Sequence, residues 1–204
     1  KAHISEVNAE YPDPFVWAVA AEMAEIQGVS STYGWTDGTV RIVNNQIWYS
    51  KHGTGNGLYI FNLDGSFHSK IDNLFSLKIR TFEVDWLNQK IYFAINNAAG
   101  GYNPGLYVSE IDGSNIQLID DLTGFSMQGG EAERTYVTSI VVDADGGYIY
   151  YPFRHESDLN NLGEIIGDGS ASGVKRWAID QSGGPEFFVT GLIPYGIGID
   201  HTKR

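Results

Sequence analysis

The sequence of 204 residues contains no cysteine. That removes disulfides, thiolate nucleophiles and cysteine-based zinc sites at once, and it leaves the redox compartment open. Basic residues are scarce as well: 13 Lys and Arg stand against 25 Asp and Glu, for a net charge of −12. A surface of that sign repels phosphate backbones and anionic headgroups, so neither nucleic acid nor an acidic membrane is expected as a partner. Apolar runs are short. None approaches the about 18 to 20 residues that cross a bilayer as a helix, so no membrane insertion is expected of this segment. Asn-x-Ser/Thr sequons, a Gly-x-Ser-x-Gly elbow, a phosphate loop, His-Glu-x-x-His and a dinucleotide fingerprint are all missing.

Glycine and aromatics are plentiful instead, with 25 Gly, 12 Tyr and 10 Phe, and the apolar runs end at Gly, Asn or Asp. Short strands punctuated by turn residues predict an all-β fold. The runs also repeat. Gly57-Leu58-Tyr59-Ile60-Phe61-Asn62-Leu63-Asp64-Gly65-Ser66 matches Gly105-Leu106-Tyr107-Val108-Ser109-Glu110-Ile111-Asp112-Gly113-Ser114, and a third copy starts at Gly173 and reaches Asp180-Gln181-Ser182. An apolar strand follows each turn, at Phe67 to Ile71, Ile116 to Ile119 and Pro185 to Val189, which makes each unit a hairpin. A second hairpin precedes each of these: Val40 to Val43 with Gln46 to Tyr49, Thr81 to Asp85 with Lys90 to Phe93, and Ser139 to Asp143 with Tyr148 to Tyr151. Two successive hairpins make a four-stranded antiparallel unit, and the spacing of Asp64, Asp112 and Asp180 suits one β-propeller blade each, with loop insertions.

The organisation that follows is an N-terminal segment over 1–38 and a partial propeller over 39–204. The first segment holds one short helix from Asp13-Pro14 through Gln27, stopped by Gly28. Blades are expected near 39–79, 80–136 and 137–193, and a further blade begins within 194–204, at Tyr195 to Asp200. Because Lys1 is not a Met and the pattern breaks off within a repeat, a piece of a longer polypeptide is expected. Three blades and a strand cannot close a ring, so the remaining blades must come from the same or another chain.

At Val84-Asp85 with Lys90-Ile91-Tyr92-Phe93, at Glu110 to Asn115, and at Thr190-Gly191-Leu192 with Pro194 to Asp200, the sequence resembles the low-density-lipoprotein receptor class B, or YWTD, repeats. The likeness covers about 38–204. The second strands carry Trp48-Tyr49-Ser50-Lys51, Tyr92-Phe93-Ala94-Ile95 and Tyr150-Tyr151-Pro152-Phe153, without the Thr-Asp half of the family tetrad. NHL and SMP-30/gluconolactonase-like propellers stay open as relatives. What the resemblance implies is a six-bladed propeller in a secreted or cell-surface protein, recognising a protein or carbohydrate ligand. The alternative is a metal-dependent propeller hydrolase or lactonase.

Function on a propeller belongs to its loops. The connections between second and third strands lengthen from blade to blade and share one rim, together with the link over 123–136. Their polar contents nominate Tyr102, Glu131, Arg134, Arg154, His155, Glu156 and Asp158 as ligand-binding residues, among neighbours such as Asn96, Asn97, Gln128, Glu133, Asn160 and Asn161. His155, between Arg154 and Glu156, is a candidate pH-dependent contact. No catalytic residue is assigned; Glu83 is the one carboxylate a hydrolase would recruit. No cofactor is expected. Calcium is the ion to consider in so acidic a chain, but counting a calcium loop from Asp158 puts Leu162 and Gly169 where ligand oxygens are required. Asp143-Ala144-Asp145-Gly146-Gly147 reads as a hairpin turn.

Overall fold

The computed structural model describes residues 39–51, 56–95, 98–122, 137–155, 158, 165–194 and 196–199. The helix expected between Asp13 and Gln27 lies outside them. Alternating apolar residues between turn signals fold as strands, and twelve of these build three four-stranded antiparallel sheets. The first holds β1 (Val40–Val43), β2 (Gln46–Lys51), β3 (Gly57–Asn62) and β4 (Phe67–Lys70). The second holds β5 (Ile79–Asp85), β6 (Lys90–Ile95), β7 (Gly105–Glu110) and β8 (Gln117–Asp121). The third holds β9 (Val141–Asp143), β10 (Tyr148–Phe153), β11 (Gly173–Ala178) and β12 (Glu186–Thr190). Spatial order follows chain order in every sheet, which is the up-and-down meander of a propeller blade. The last strand of the third blade starts at Glu186, one residue after the expected Pro185, because proline has no N–H to give a ladder. No helix among the described residues is long and apolar enough to cross a membrane.

The hairpin turns are built from side chains that hold their own backbone. Asn44 and Asn45 both take left-handed φ, at 48° and 60°, the conformation that joins two twisted strands in two residues. Asp64, Asp112 and Asp180 each accept the backbone N–H of the serine two residues on, at 2.9 Å. The hydroxyls of Ser66, Ser114 and Ser182 add to this and hold the three carboxyls below the usual range. The repeated aspartates are thus turn-formers.

Side chains on each sheet divide strictly by parity. Trp48 pairs with Ile60, and both face the second blade; Tyr92 pairs with Val108, and both face the third. Ile91, Phe93 and Ile95 point back at the first blade, while Ile149, Tyr151 and Phe153 point back at the second. Two apolar seams result. One packs Trp48, Leu58 and Ile60 against Phe82, Ile91 and Phe93, and the other packs Tyr92, Leu106 and Val108 against Ile149, Tyr151 and Trp177. The Tyr92 and Trp177 rings meet edge to face at 6.4 Å. The first strands line up beside one another, since β5 lies against β9 and Arg41 of β1 is bonded to Glu83 of β5 at 2.7 Å.

Both seams carry polar groups. Asp120 Oδ2, on the outermost strand of the second blade, accepts from Tyr151 Oη at 2.9 Å and from Lys175 Nζ at 2.7 Å, both on the third. The Lys175 ammonium also stands 4.1 Å above the Phe153 ring. Burial, and then the Asp120 carboxylate beside it, pushes the Tyr151 phenol far above its ordinary value of 10.0. Burial does the same to Tyr92, helped by Asp85. A phenol whose folded pKa is raised stabilises the fold fully below the unfolded value, and that contribution is lost as pH climbs past it. The unfolding midpoint is therefore expected to fall above about pH 10. In an alkaline titration, tyrosinate absorbance from Tyr92 and Tyr151 should appear only together with loss of β ellipticity; smooth titration of every tyrosine in a folded chain would contradict this.

A glycine opens each third strand, and at Gly173 the reason is space. A Cβ there would lie 2.0 Å from the carbonyl oxygen of Val189 across the β11–β12 ladder. Backbone cannot yield as a flexible side chain does, so Gly173→Ala is expected to destabilise the chain by about 1–3 kcal/mol, read as a lowered midpoint in urea.

After β12 the chain turns back toward the first strands. Residues 196–199 have no ladder partner among the described residues, and the Ile197 N–H donates to Ser139 Oγ at 3.1 Å, just ahead of β9.

Candidate functional site

In a meander, the connections after every second and fourth strand emerge at the same end. That end carries 52–56, 96–104 and 154–172, each longer than the one before, while the connections at the opposite end run from two to seven residues. Glu131, Arg134 and Glu156 lie outside the described residues, as do Asn96, Asn97, Gln128, Glu133, Asn160 and Asn161. The remaining candidates fall on two loops.

Tyr102 sits on the second connection, where it and Ala99 exchange two backbone hydrogen bonds of 2.9 and 3.0 Å. Its ring meets Tyr107 edge-on at 5.7 Å, and Tyr107 stacks in turn on Phe93. The blade core thereby fixes a half-exposed aromatic at the rim.

On the third connection His155 and Asp158 are brought together around Ser172, and Arg154 is buried beside them in sequence. The Ser172 hydroxyl donates to Asp158 Oδ2 at 2.5 Å and accepts the His155 N–H at 2.9 Å. Asp158 Oδ1 accepts the Gly169 N–H at 3.0 Å, and the Asp158 carbonyl takes the N–H groups of Ile166 and Gly167. Asp158 is 2% exposed and Arg154 4%. Both side chains thus lie beneath the surface, and Asp158 ties Gly169 and Ser172 by its carboxylate and His155, Ile166 and Gly167 by its backbone. Gly167 passes so close to it that a Cβ there would meet Asp158 Oδ1 at 2.1 Å. His155 stays half exposed, its ring 6.3 Å from that of Phe153.

The same loop presents two residues that polarity-based reasoning passes over. Ile165 and Ile166 are 49% and 64% exposed. Their signal in the sequence is an apolar pair outside any strand repeat, next to Gly167. Large aliphatics held in water by a hydrogen-bonded loop mark an interaction surface more often than isolated surface leucines do.

Glu83 is not a free carboxylate. Its Oε2 lies 2.7 Å from Arg41 Nε, and its Oε1 accepts the Val84 N–H at 3.2 Å. Among the described residues no three His, Asp or Glu side chains gather as metal ligands would. A cleft of about 470 Å³ lies in the seam of the first two blades, floored by Trp48, Ile60 and Ile111 and rimmed by Lys70, Trp86 and Asp112. Its charged rim is already engaged: Lys70 is 3.3 Å from Asp72 and stands over the Phe75 ring, and Asp112 holds the Ser114 N–H.

No protein-family model matches the sequence, and no curated protein matches it. Among solved structures, 34 chains match. One is a chain of a nidogen/laminin complex, with 12% identity and a TM-score of 0.49 over 73% of this chain and 45% of that one. This chain thus spans less than half the length of that chain.

Proposed function

We propose that the chain is a non-enzymatic recognition module, part of a six-bladed propeller, that binds a protein through the end carrying its long connections. The observation that carries this reading is the third connection. Its buried Asp158–Ser172 core spends polar groups on fixing a loop whose outer residues are Ile165, Ile166 and half-exposed His155. Prepaid ordering of that kind lowers the entropy lost on association. The exposed isoleucines favour a protein partner over a carbohydrate, because sugar sites rely on aromatic faces and hydrogen bonds rather than branched aliphatics. The pairing of Glu83 with Arg41 supports recognition over the hydrolase alternative. The YWTD resemblance supplies the rest of the proposal, a secreted or cell-surface setting.

The test is a binding screen on immobilised extracellular proteins and glycans, with and without a chelator, alongside a lactone-hydrolysis assay. Capture of a protein that survives chelation is expected, with no turnover. Replacing Ile165 and Ile166 by Ser, or Tyr102 and His155 by Ala, should weaken that capture by about tenfold or more, equivalent to about 1.4 kcal/mol, with the β signal unchanged. Chelator-sensitive lactone turnover would overturn the reading, and so would capture indifferent to all four substitutions.

A further inference from the structure

One buried donor is left without an acceptor. Trp48 is 2% exposed, and its indole N–H has no hydrogen-bond partner among the described residues. The cause is local: Trp48 stands between Arg41 and Ile60 on the ladder, one side chain that only donates and one that does neither, and it enters a seam of apolar side chains. A buried donor in this state destabilises the fold until an acceptor reaches it. Trp48 also lines the cleft of about 470 Å³ between the first two blades, which is the way in for an acceptor from outside.

The rim of that cleft has hydrogen-bonding capacity to spare. Trp86, on the β5–β6 turn and 42% exposed, gives it an indole face. Gln46, at the start of β2, gives it an amide with no side-chain hydrogen bond among the described residues. The Asn73 amide donates to the Asp112 carbonyl at 3.1 Å, so its oxygen remains to accept. Asp72 has a side chain 82% exposed and one oxygen beyond that near Lys70. Ionic ligands fit poorly. A cation would meet Lys70 and bring no acceptor for Trp48, and an anion would meet Asp72 and Asp112 in a chain of net charge −12.

These features are not a consequence of the blade repeat. In the second seam the ladder registers put Tyr92 in place of Trp48, Lys90 in place of Gln46 and Ala144 in place of Trp86. Lys90 is bonded to Glu110 at 2.6 Å, and Ala144 has no face to offer. The aromatic rim and the free amide therefore belong to the first seam alone of the two.

We propose that this cleft is a binding site for a neutral saccharide. The apolar face of a sugar ring lies on Trp86, its hydroxyls bond to Gln46, Asn73 and Asp72, and one hydroxyl oxygen supplies the acceptor that the Trp48 N–H lacks. Gln46, Trp86 and Asp112 sit at the end of the blades opposite the long connections, so the inference does not depend on what Ile165 and Ile166 meet.

Magnetic resonance of the tryptophan indole N–H groups tests it. The isotope-labelled protein is titrated with glucose, galactose, mannose and N-acetylglucosamine, each to about 50 mM, above the millimolar Kd expected of one sugar ring in an open cleft. N-acetyl-leucine amide serves as an apolar peptide control. The Trp48 and Trp86 signals, assigned through Trp48→Phe and Trp86→Phe, should move saturably with at least one sugar, while that of Trp177 in the other seam stays in place. With Trp48 as the reporter, Trp86→Ala should weaken binding by about tenfold or more and Trp86→Phe by less. Leu87→Ala next to it, and Ile165→Ser with Ile166→Ser at the far end, should leave binding unchanged. No saturable movement with any of the sugars overturns the proposal, as does movement indifferent to Trp86→Ala. A response to N-acetyl-leucine amide without one to the sugars overturns the saccharide assignment in favour of a peptide.

Discussion

Replacing Asp120 by alanine is expected to cost about 3–5 kcal/mol, which for a chain of this size lowers the melting temperature by about 10 °C. Asp120 and Lys175 have side chains only 12% and 14% exposed, so water cannot take over the lost interactions. The substitution orphans the Lys175 ammonium and the Tyr151 hydroxyl in the seam between the second and third blades. The ring of Phe153 beneath the ammonium offsets part of that loss. An exposed ion pair such as Lys70 with Asp72 is worth under about 1 kcal/mol, and Asp72→Ala should be almost silent. The decisive comparison is Asp120→Leu with Lys175→Met. If the cost of the single change comes from an uncompensated charge, the double change regains most of it; urea denaturation of the three variants measures this directly. Equal destabilisation by the single and double changes would mean that the seam needs the ion pair itself.

The second large effect is expected at the other seam. Phe93 is wholly buried, stacked on Tyr107 with ring centroids 5.7 Å apart, and it belongs to the cluster that joins the first blade to the second. Phe93→Ala removes the transfer energy of the ring and leaves a cavity, at a cost of about 3–5 kcal/mol. Phe93→Leu, which refills most of the volume, should cost less than about 1.5 kcal/mol. Leu87→Ala, at a residue 82% exposed, should stay within about 0.5 kcal/mol. Phe93 and Asp120 lie on opposite faces of the second sheet and share no partner, so their effects in one chain should add. A midpoint for Phe93→Ala close to that of the parent would contradict the packing described for this seam.

The strands and turns could be read from the sequence because their signals are local. Period-2 apolar runs, Asn44-Asn45, and serine two residues after Asp64, Asp112 and Asp180 specify their conformations from within a few residues. The inter-blade groups could not be found that way. Arg41 with Glu83, and Asp120 with Lys175, join positions separated by most of a blade or more, and no periodicity marks one charged residue as another's partner. The loop end was legible as a place and less so in detail. Insert length marks the end that carries the long connections, but polarity alone does not separate Asp158, turned inward onto Ser172 and Gly169, from a residue offered to a ligand. Polarity also hides Ile165 and Ile166, whose interest comes from exposure. A strand that starts after Pro185 instead of at it has the simplest cause, a missing N–H.

The parity of the sheets also bears on how disturbance travels. Each blade touches only the one before and the one after, so the described part of the molecule behaves as a short row of coupled units in which stability is the sum of the units and their junctions. Opening at an end unit breaks a single junction, whereas opening in the middle breaks two. Fluctuations are therefore damped in the second blade relative to the first and third, and the third is the end unit that carries the most elaborate loop. A ligand that orders the third connection acts on an end unit of the row, and the Asp120–Tyr151–Lys175 contact is the coupling through which its neighbour would feel it.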